Sequence, residues 1–237
     1  MKVIYRISDK GYPKRKLDAI SNTSCFINFC NNFLCNDLNE LVLIYDNCST
    51  FTVELFDGLV EHHGGSIKPT MLQTSLGNAG SFKFALDYAI EKFSADEIVY
   101  FVEGDYIHDK NSKKILEEGY NMNGVEGDYV TLYAHPDKEF AERVQPEYIF
   151  RSASTYWRSS DSTTMTFSAK VKTLKEDYDI IKKWISGAHP NDHQMFLELR
   201  KKDRVLVNPI PGYSTHGEKD WLSPFKDWNR ILEESML

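Results

Sequence analysis

No apolar stretch in this sequence approaches the roughly 20 residues that a bilayer-crossing helix requires. Its first ten residues alternate apolar with polar side chains where a signal peptide would carry an apolar block. The sequence therefore predicts a cytoplasmic protein with no transmembrane segment. Cysteine is scarce: Cys25, Cys30, Cys35 and Cys48 are the four in 237 residues, and none belongs to a Cys-x-x-Cys zinc pair. Three of them recur every five residues, which spreads them around a helix, so they read as reduced, mostly buried thiols. Positive charge is in deficit, 28 Lys and Arg against 35 Asp and Glu for a net charge of −7. That balance argues against a nucleic-acid partner held by a general electrostatic field and leaves only a local basic groove open. Internal repeats and low-complexity tracts are missing, and no linker breaks the first 140 residues.

Apolar and aromatic residues are plentiful at 41% and 13%, enough buried area to offset the ordering entropy of one large domain. Runs of strand length alternate with amphipathic stretches, the pattern of a β-α-β chain. Val3 to Ile7, the unbroken run Leu41 to Tyr45, a segment near Thr70 and the all-apolar Ile98 to Val102 read as strands, Leu41 to Tyr45 as one covered on both faces of a parallel sheet. Helices are predicted somewhere in Leu17 to Phe33, over Phe51 to Glu61, and from Gly77 onward, where Phe82, Ala85, Leu86, Ala89, Ile90 and Phe93 share a face. Past residue 125 the pattern changes. Tyr129 to Tyr133, Tyr148 to Trp157 and Thr163 to Ser168 read as strands, the last two as a hairpin. Helices follow at Lys172 to Trp184 and Asp192 to Lys201, and an irregular tail follows Pro209-Ile210-Pro211-Gly212. The expected architecture is α/β: a single domain over 1–237, with a Rossmann-like nucleotide-binding half (1–125) and a mixed half (126–237) that closes over it.

Ligands of open parallel sheets collect beyond the carboxyl ends of strands, which singles out several polar segments. Arg6 and Ser8 belong to the end of the first strand. The second runs into Asp46-Asn47-Cys48-Ser49, where short acceptors suit a base or ribose, or equally an Asx turn or helix cap. The fourth ends in Glu103-Gly104-Asp105, two carboxylates suited to a hard divalent cation on diphosphate oxygens, with a glycine that permits close approach of a ligand. Acid-x-acid triplets are not rare, about five being expected by chance at this composition. Glu126-Gly127-Asp128 is an internal control: it precedes its strand, so it should lie at the opposite edge as a solvated turn. Gly77-Asn78-Ala79-Gly80 opens a helix whose free N–H groups favour an anion, or else serves close packing. Asp192, behind a proline-containing turn, reads as a general base or a helix cap. His216, in the tail, reads as a metal or phosphate contact or as a surface histidine.

Taken in order, these segments resemble the GT-A fold nucleotide-sugar glycosyltransferases, above all the inverting, family-two-like enzymes. A narrower resemblance, to small GT-A domains of large algal viruses that build capsid glycans, rests on Val102 to Tyr106, Thr163 to Phe167 and Ser214 to Pro224. The resemblance implies a hexosyl- or deoxyhexosyl-transferase of glycan synthesis, acting on a nucleoside-diphosphate sugar of UDP, GDP or dTDP type and a glycan acceptor. It implies nucleotide contacts at Arg6, Ser8, Asp46, Asn78, Gly80 and Glu103, a Mn²⁺ or Mg²⁺ at Asp105 and His216, and Asp192 as catalytic base. Glu103 departs from the usual Asp-x-Asp, and the acidic pair around Asp192 is half matched. Tyr156, Trp157, Arg158 and Trp184 are candidate acceptor contacts, because aromatic faces stack on sugar rings. The rival readings are a sugar nucleotidyltransferase, for which Ser8 to Tyr12 and Lys14-Arg15-Lys16 form a poor version of the required loop, and a non-catalytic binding module.

Overall fold

The computed structural model describes residues 1–10, 15–35, 38, 40–65, 69–139 and 148–237. Gly11, Tyr12 and Lys14 of the loop just named lie outside them. The first half builds β1 (Lys2–Ser8), α1 (Asn22–Phe29, continued by a π-helical turn over Cys30–Leu34), β2 (Leu41–Asp46), α2 (Thr50–Gly64), β3 (Thr70–Thr74), α3 (Gly77–Lys92) and β4 (Ile98–Glu103). Strand order is β3-β2-β1-β4, all parallel. Alternation along each strand divides the core into two layers. Val3, Tyr5 and Ile7, Leu43 and Tyr45, and Tyr100 and Val102 pack on the Phe26–Phe29–Phe33 face of α1 and its π turn. Ile4, Val42, Ile44, Val99 and Phe101 pack on Phe82, Ala85, Leu86 and Ala89 of α3. Burial on both faces is why these strands are continuous apolar runs in the sequence.

The second half extends the same sheet to β3-β2-β1-β4-β9-β6-β10-β8-β7. Its strands are β6 (Tyr129–Val130), β7 (Ile149–Arg151), β8 (Tyr156–Ser159), β9 (Phe167–Lys170) and β10 (Leu206–Ile210). A separate ribbon pairs β5 (Tyr106–His108) with β11 (Ser214–His216). Helices α4 (Ser112–Glu118), α5 (Val171–Glu176), α6 (Tyr178–Trp184), α7 (Asp192–Arg200) and α8 (Trp228–Glu234) complete the described chain. No described helix is long and apolar enough to cross a membrane.

Several expectations for this half are corrected. The hairpin is β7–β8, inside 149–159, while β9 runs antiparallel to β4. The helix over 172–184 breaks at Asp177, whose buried carboxylate accepts from Tyr129 and Arg204. The tail is not irregular, since it contains β11 and α8, and β10 leads into it. Glu126 and Asp128 do sit at the opposite edge but are not merely solvated, since Asp128 accepts from the Val205 amide and Arg204 and Glu126 pairs with Lys170. Of the cysteines, Cys25 and Cys30 are buried, Cys48 is half-buried and Cys35 is exposed.

Candidate active site

Beyond the carboxyl ends of β1, β2 and β4 lies a crevice of about 420 Å³. Glu103 and Asp105 enter it from the end of β4. Gly104 between them lines the crevice and also serves the protein's own packing: a Cβ there would stand 3.1 Å from the Arg6 carbonyl oxygen and 3.3 Å from Asn22 Oδ1. The β5–β11 ribbon pairs His216 with Tyr106, and the Gly217 amide donates to the Asp105 carbonyl at 2.9 Å. His216 is therefore neither isolated nor on the surface. Its Nε2 lies 3.2 Å from Asp105 Oδ2 and its Nδ1 3.1 Å from Glu218 Oε1. One donor atom each from Glu103, Asp105 and His216 falls within 4.8 Å of the other two.

Burial opposes charge on all three, and their partners decide the outcome. Asp105 is held well below the usual carboxylate range because His216 and Lys16, whose Nζ is 2.9 Å away, outweigh desolvation. His216 is raised, the facing carboxylates overcoming burial. Glu103 is raised by burial and by Asp105, against the pull of Arg6. Asp105 Oδ1 is buried with no hydrogen-bond partner among the described residues. An orphaned acceptor beside a second carboxylate and an imidazole fits a Mn²⁺-like cation, and Glu218 on the far ring nitrogen stands where an outer carboxylate would orient such an imidazole.

The nucleotide side is built differently from expectation. Asp46 is 3% exposed, and its two oxygens accept from Thr74 Oγ1, the Leu76 and Gly77 amides and Asn47 Nδ2 at 2.7–3.0 Å. That fills a carboxylate's acceptor sites. Asp46 thus pins the β3–α3 turn, where Gly77 has the left-handed φ of 74°, and is neither a free base acceptor nor the cap of α2, which is Ser49. Arg6 is likewise engaged, with Nη2 2.6 Å from Glu103 and Nη1 on the Asn78 carbonyl and Ser81. It positions Glu103 against the start of α3. Gly80 packs against Leu76, a Cβ there coming within 2.8 Å of Leu76 Cβ, so its reason is steric rather than a ligand. Ser8 and Asn78 line the crevice as expected, joined by Asn47, Ala188 and His189.

Asp192 is the first residue of α7 but not its cap; Asn191 accepts from the Gln194 amide in that role. Instead Asp192 Oδ2 accepts from Ser162 Oγ and the Thr163 and Thr164 amides at 2.7–2.9 Å. Among the described residues no partner is seen on Oδ1. The receiving loop is strained, Thr164 and Met165 both adopting left-handed φ of 47° and 62°, a cost of about 1–3 kcal/mol each that persists where surroundings over-determine it. Because β9 is antiparallel to β4, this loop emerges at the carboxyl end of β4, and Asp192 adds to the charge felt by Glu103. The acceptor aromatics are not there. Trp157 is fully buried, its Nε1 on Ser152. Arg158 is buried against Glu139. Tyr156 is exposed but sits four strand spacings from β4, about 19 Å. Trp184 bonds Glu198 and lines a separate depression that shares no residue with the crevice. Sequence reasoning missed Lys16, Glu218 and the Ser162–Thr164 cradle; the last overlaps, at Thr163 and Thr164, the Thr163–Phe167 segment that carried the narrower resemblance.

No family model and no curated protein sequence matches the chain. Solved structures do. A protein of Bacillus anthracis described as a glucose-1-phosphate thymidylyltransferase, solved with sucrose, superposes with a TM-score of 0.57 at 15% identity over 99% of this chain and 94% of its own. GalNAc-T7, solved with UDP, GalNAc and Mn²⁺, gives 0.52 at 10% identity over 91% of this chain and 42% of its own. The fold is GT-A-like. At these identities the likeness carries the architecture of nucleotide-sugar enzymes and no more.

Proposed function

We propose that this GT-A-like chain transfers a sugar from a nucleoside diphosphate to an acceptor hydroxyl, with inversion. The observation that supports it most is Asp192: one oxygen is fixed by three donors and the other is left without a described partner, next to a crevice with a cation-type cluster. A general base needs that combination of fixed direction and free acceptor. Asp192 Oδ1 receives the acceptor proton as its oxygen attacks. Glu103, Asp105 and His216 hold a Mn²⁺ or Mg²⁺, whose chemistry is to neutralise the departing diphosphate. Glu218 keeps the His216 ring oriented, and Arg6 keeps Glu103 in place. Asn47, Ser8 and Asn78 face the nucleotide. The test is a thermal-shift panel of UDP, GDP and dTDP with and without Mn²⁺, followed by transfer assays on Asp192→Asn. One diphosphate should stabilise the protein only with metal, by about 2.7 kcal/mol at a hundred times its dissociation constant. Pyrophosphate release from a nucleoside triphosphate and a sugar 1-phosphate would instead identify a nucleotidyltransferase.

A further inference from the structure

The crevice holds a cation whose role the cluster does not explain. Lys16 extends from a segment strapped along the ribbon strand that carries His216: Lys16 bridges Glu218, the Leu17 amide donates to the Gly217 carbonyl at 3.1 Å, and the Lys219 amide to the Arg15 carbonyl at 2.7 Å. This backbone is fixed on the wall of the crevice while the four-carbon stem is not. Lys16 Nζ lies 2.9 Å from Asp105 Oδ2, the oxygen that also faces His216 Nε2. The ammonium therefore stands against one face of the group proposed to take a divalent ion. Two cations so close to one carboxylate repel strongly where water is partly excluded, which favours departure of Lys16 from Asp105 when the ion arrives. Its tethered stem keeps it in the crevice, where the proposed function would bring the donor's diphosphate within its reach. Arg6 is not a substitute, being 6% exposed and committed to Glu103, Asn78 and Ser81.

Resting on the donor-site reading above, we propose that Lys16 is a hand-over cation. It neutralises Asp105 before the divalent ion binds, and pairs with the donor diphosphate afterwards. Lys16 then competes with the ion for Asp105 but cooperates with it on the phosphates. These opposite signs separate the role from simple structural support.

The experiment uses calorimetric titration of the full chain with Mn²⁺ alone, and with inorganic pyrophosphate at saturating Mn²⁺, on wild type, Lys16→Met and Lys16→Arg. Met keeps the apolar stem and Arg the charge, and thermal melts report whether each variant is folded. Lys16→Met should bind Mn²⁺ several-fold more tightly and pyrophosphate about tenfold more weakly, the scale of one charge-assisted hydrogen bond. Lys16→Arg should recover most of the pyrophosphate affinity. Unchanged pyrophosphate affinity in folded Lys16→Met, or Mn²⁺ affinity that falls along with it, would overturn the hand-over while leaving the donor site standing. A wild type that binds neither probe would overturn both.

Discussion

Asp46 and Asp192 differ in what their oxygens have left to accept. Asp46 carries four donors, two of them main-chain amides of the turn that opens α3, so its removal takes the acceptor from two part-buried amides and unpins that turn. Asp46→Ala should cost about 2–4 kcal/mol of stability in denaturant unfolding, since each charge-assisted bond contributes about 1.5–3 kcal/mol and they are not additive. A variant of unchanged stability but weakened nucleotide binding would return Asp46 to the base-contacting role. Asp192 keeps an oxygen to act with. Asp192→Asn preserves its shape and should lower turnover about 10²–10⁴-fold while nucleotide affinity stays near wild type; near-normal turnover would disqualify it. The paired Glu-Gly-Asp triplets give a third contrast. Asp105→Asn should abolish Mn²⁺ binding in calorimetry, whereas Asp128→Asn should leave it intact and loosen Arg204 and Val205 instead. Equal losses of Mn²⁺ from the two would break the assignment.

Elements were legible where a hydrophobic period had room to repeat. β1, β2, β4, α2 and α3 are long and buried on a defined face, and their sequence signals match their observed bounds closely. The β5–β11 ribbon is three residues on each side, too short to show a period, and it alone brings His216 to Asp105. β10 was hidden by Pro209. The Leu206 carbonyl accepts from Ser160 of the β8 side and the Val207 carbonyl from Thr131 of the β6 side, so Pro209 turns its missing N–H toward β6, whose pairing has already ended at Val130. His108 of β5 shows what the ribbon rests on. It is fully buried among Phe29, Phe33 and Tyr100, with Nε2 2.9 Å from the Tyr100 hydroxyl. Burial pulls its pKa down to about 3. A depressed histidine leaves the unfolded chain binding the extra proton, so stability is full above the unfolded value of roughly 6.5 and is lost as pH falls toward 3. Between pH 7 and 5 this group alone should remove about 2 kcal/mol. In His108→Phe that part of the pH slope should vanish from urea unfolding; an unaltered slope would show that the destabilising proton goes elsewhere.

At the scale of the whole molecule, the two halves share one sheet, and a single reversal of strand direction creates the site. Had β9 run parallel to β4, the loop before it would open at the opposite edge, with Asp128. Running antiparallel, it delivers Ser162 to Thr164 to the carboxyl edge, where they hold Asp192 close enough for its charge to act on Glu103 of the crevice. The crevice is lined mainly by residues before 110, joined by Ala188, His189, His216 and Glu218, and the proposed base belongs to the half that follows. A base carried by the second half, facing a cation-type cluster at the end of β4, is suited to an acceptor hydroxyl that enters opposite the departing diphosphate. Attack from that side inverts the anomeric carbon. The product of transfer, examined by NMR at early turnover, should have the anomeric configuration opposite to the donor's, and Asp192→Asn should slow its formation without changing it. Retention would mean that the nucleophile comes from the donor side, and would move the chemistry from Asp192 back toward the end of β4.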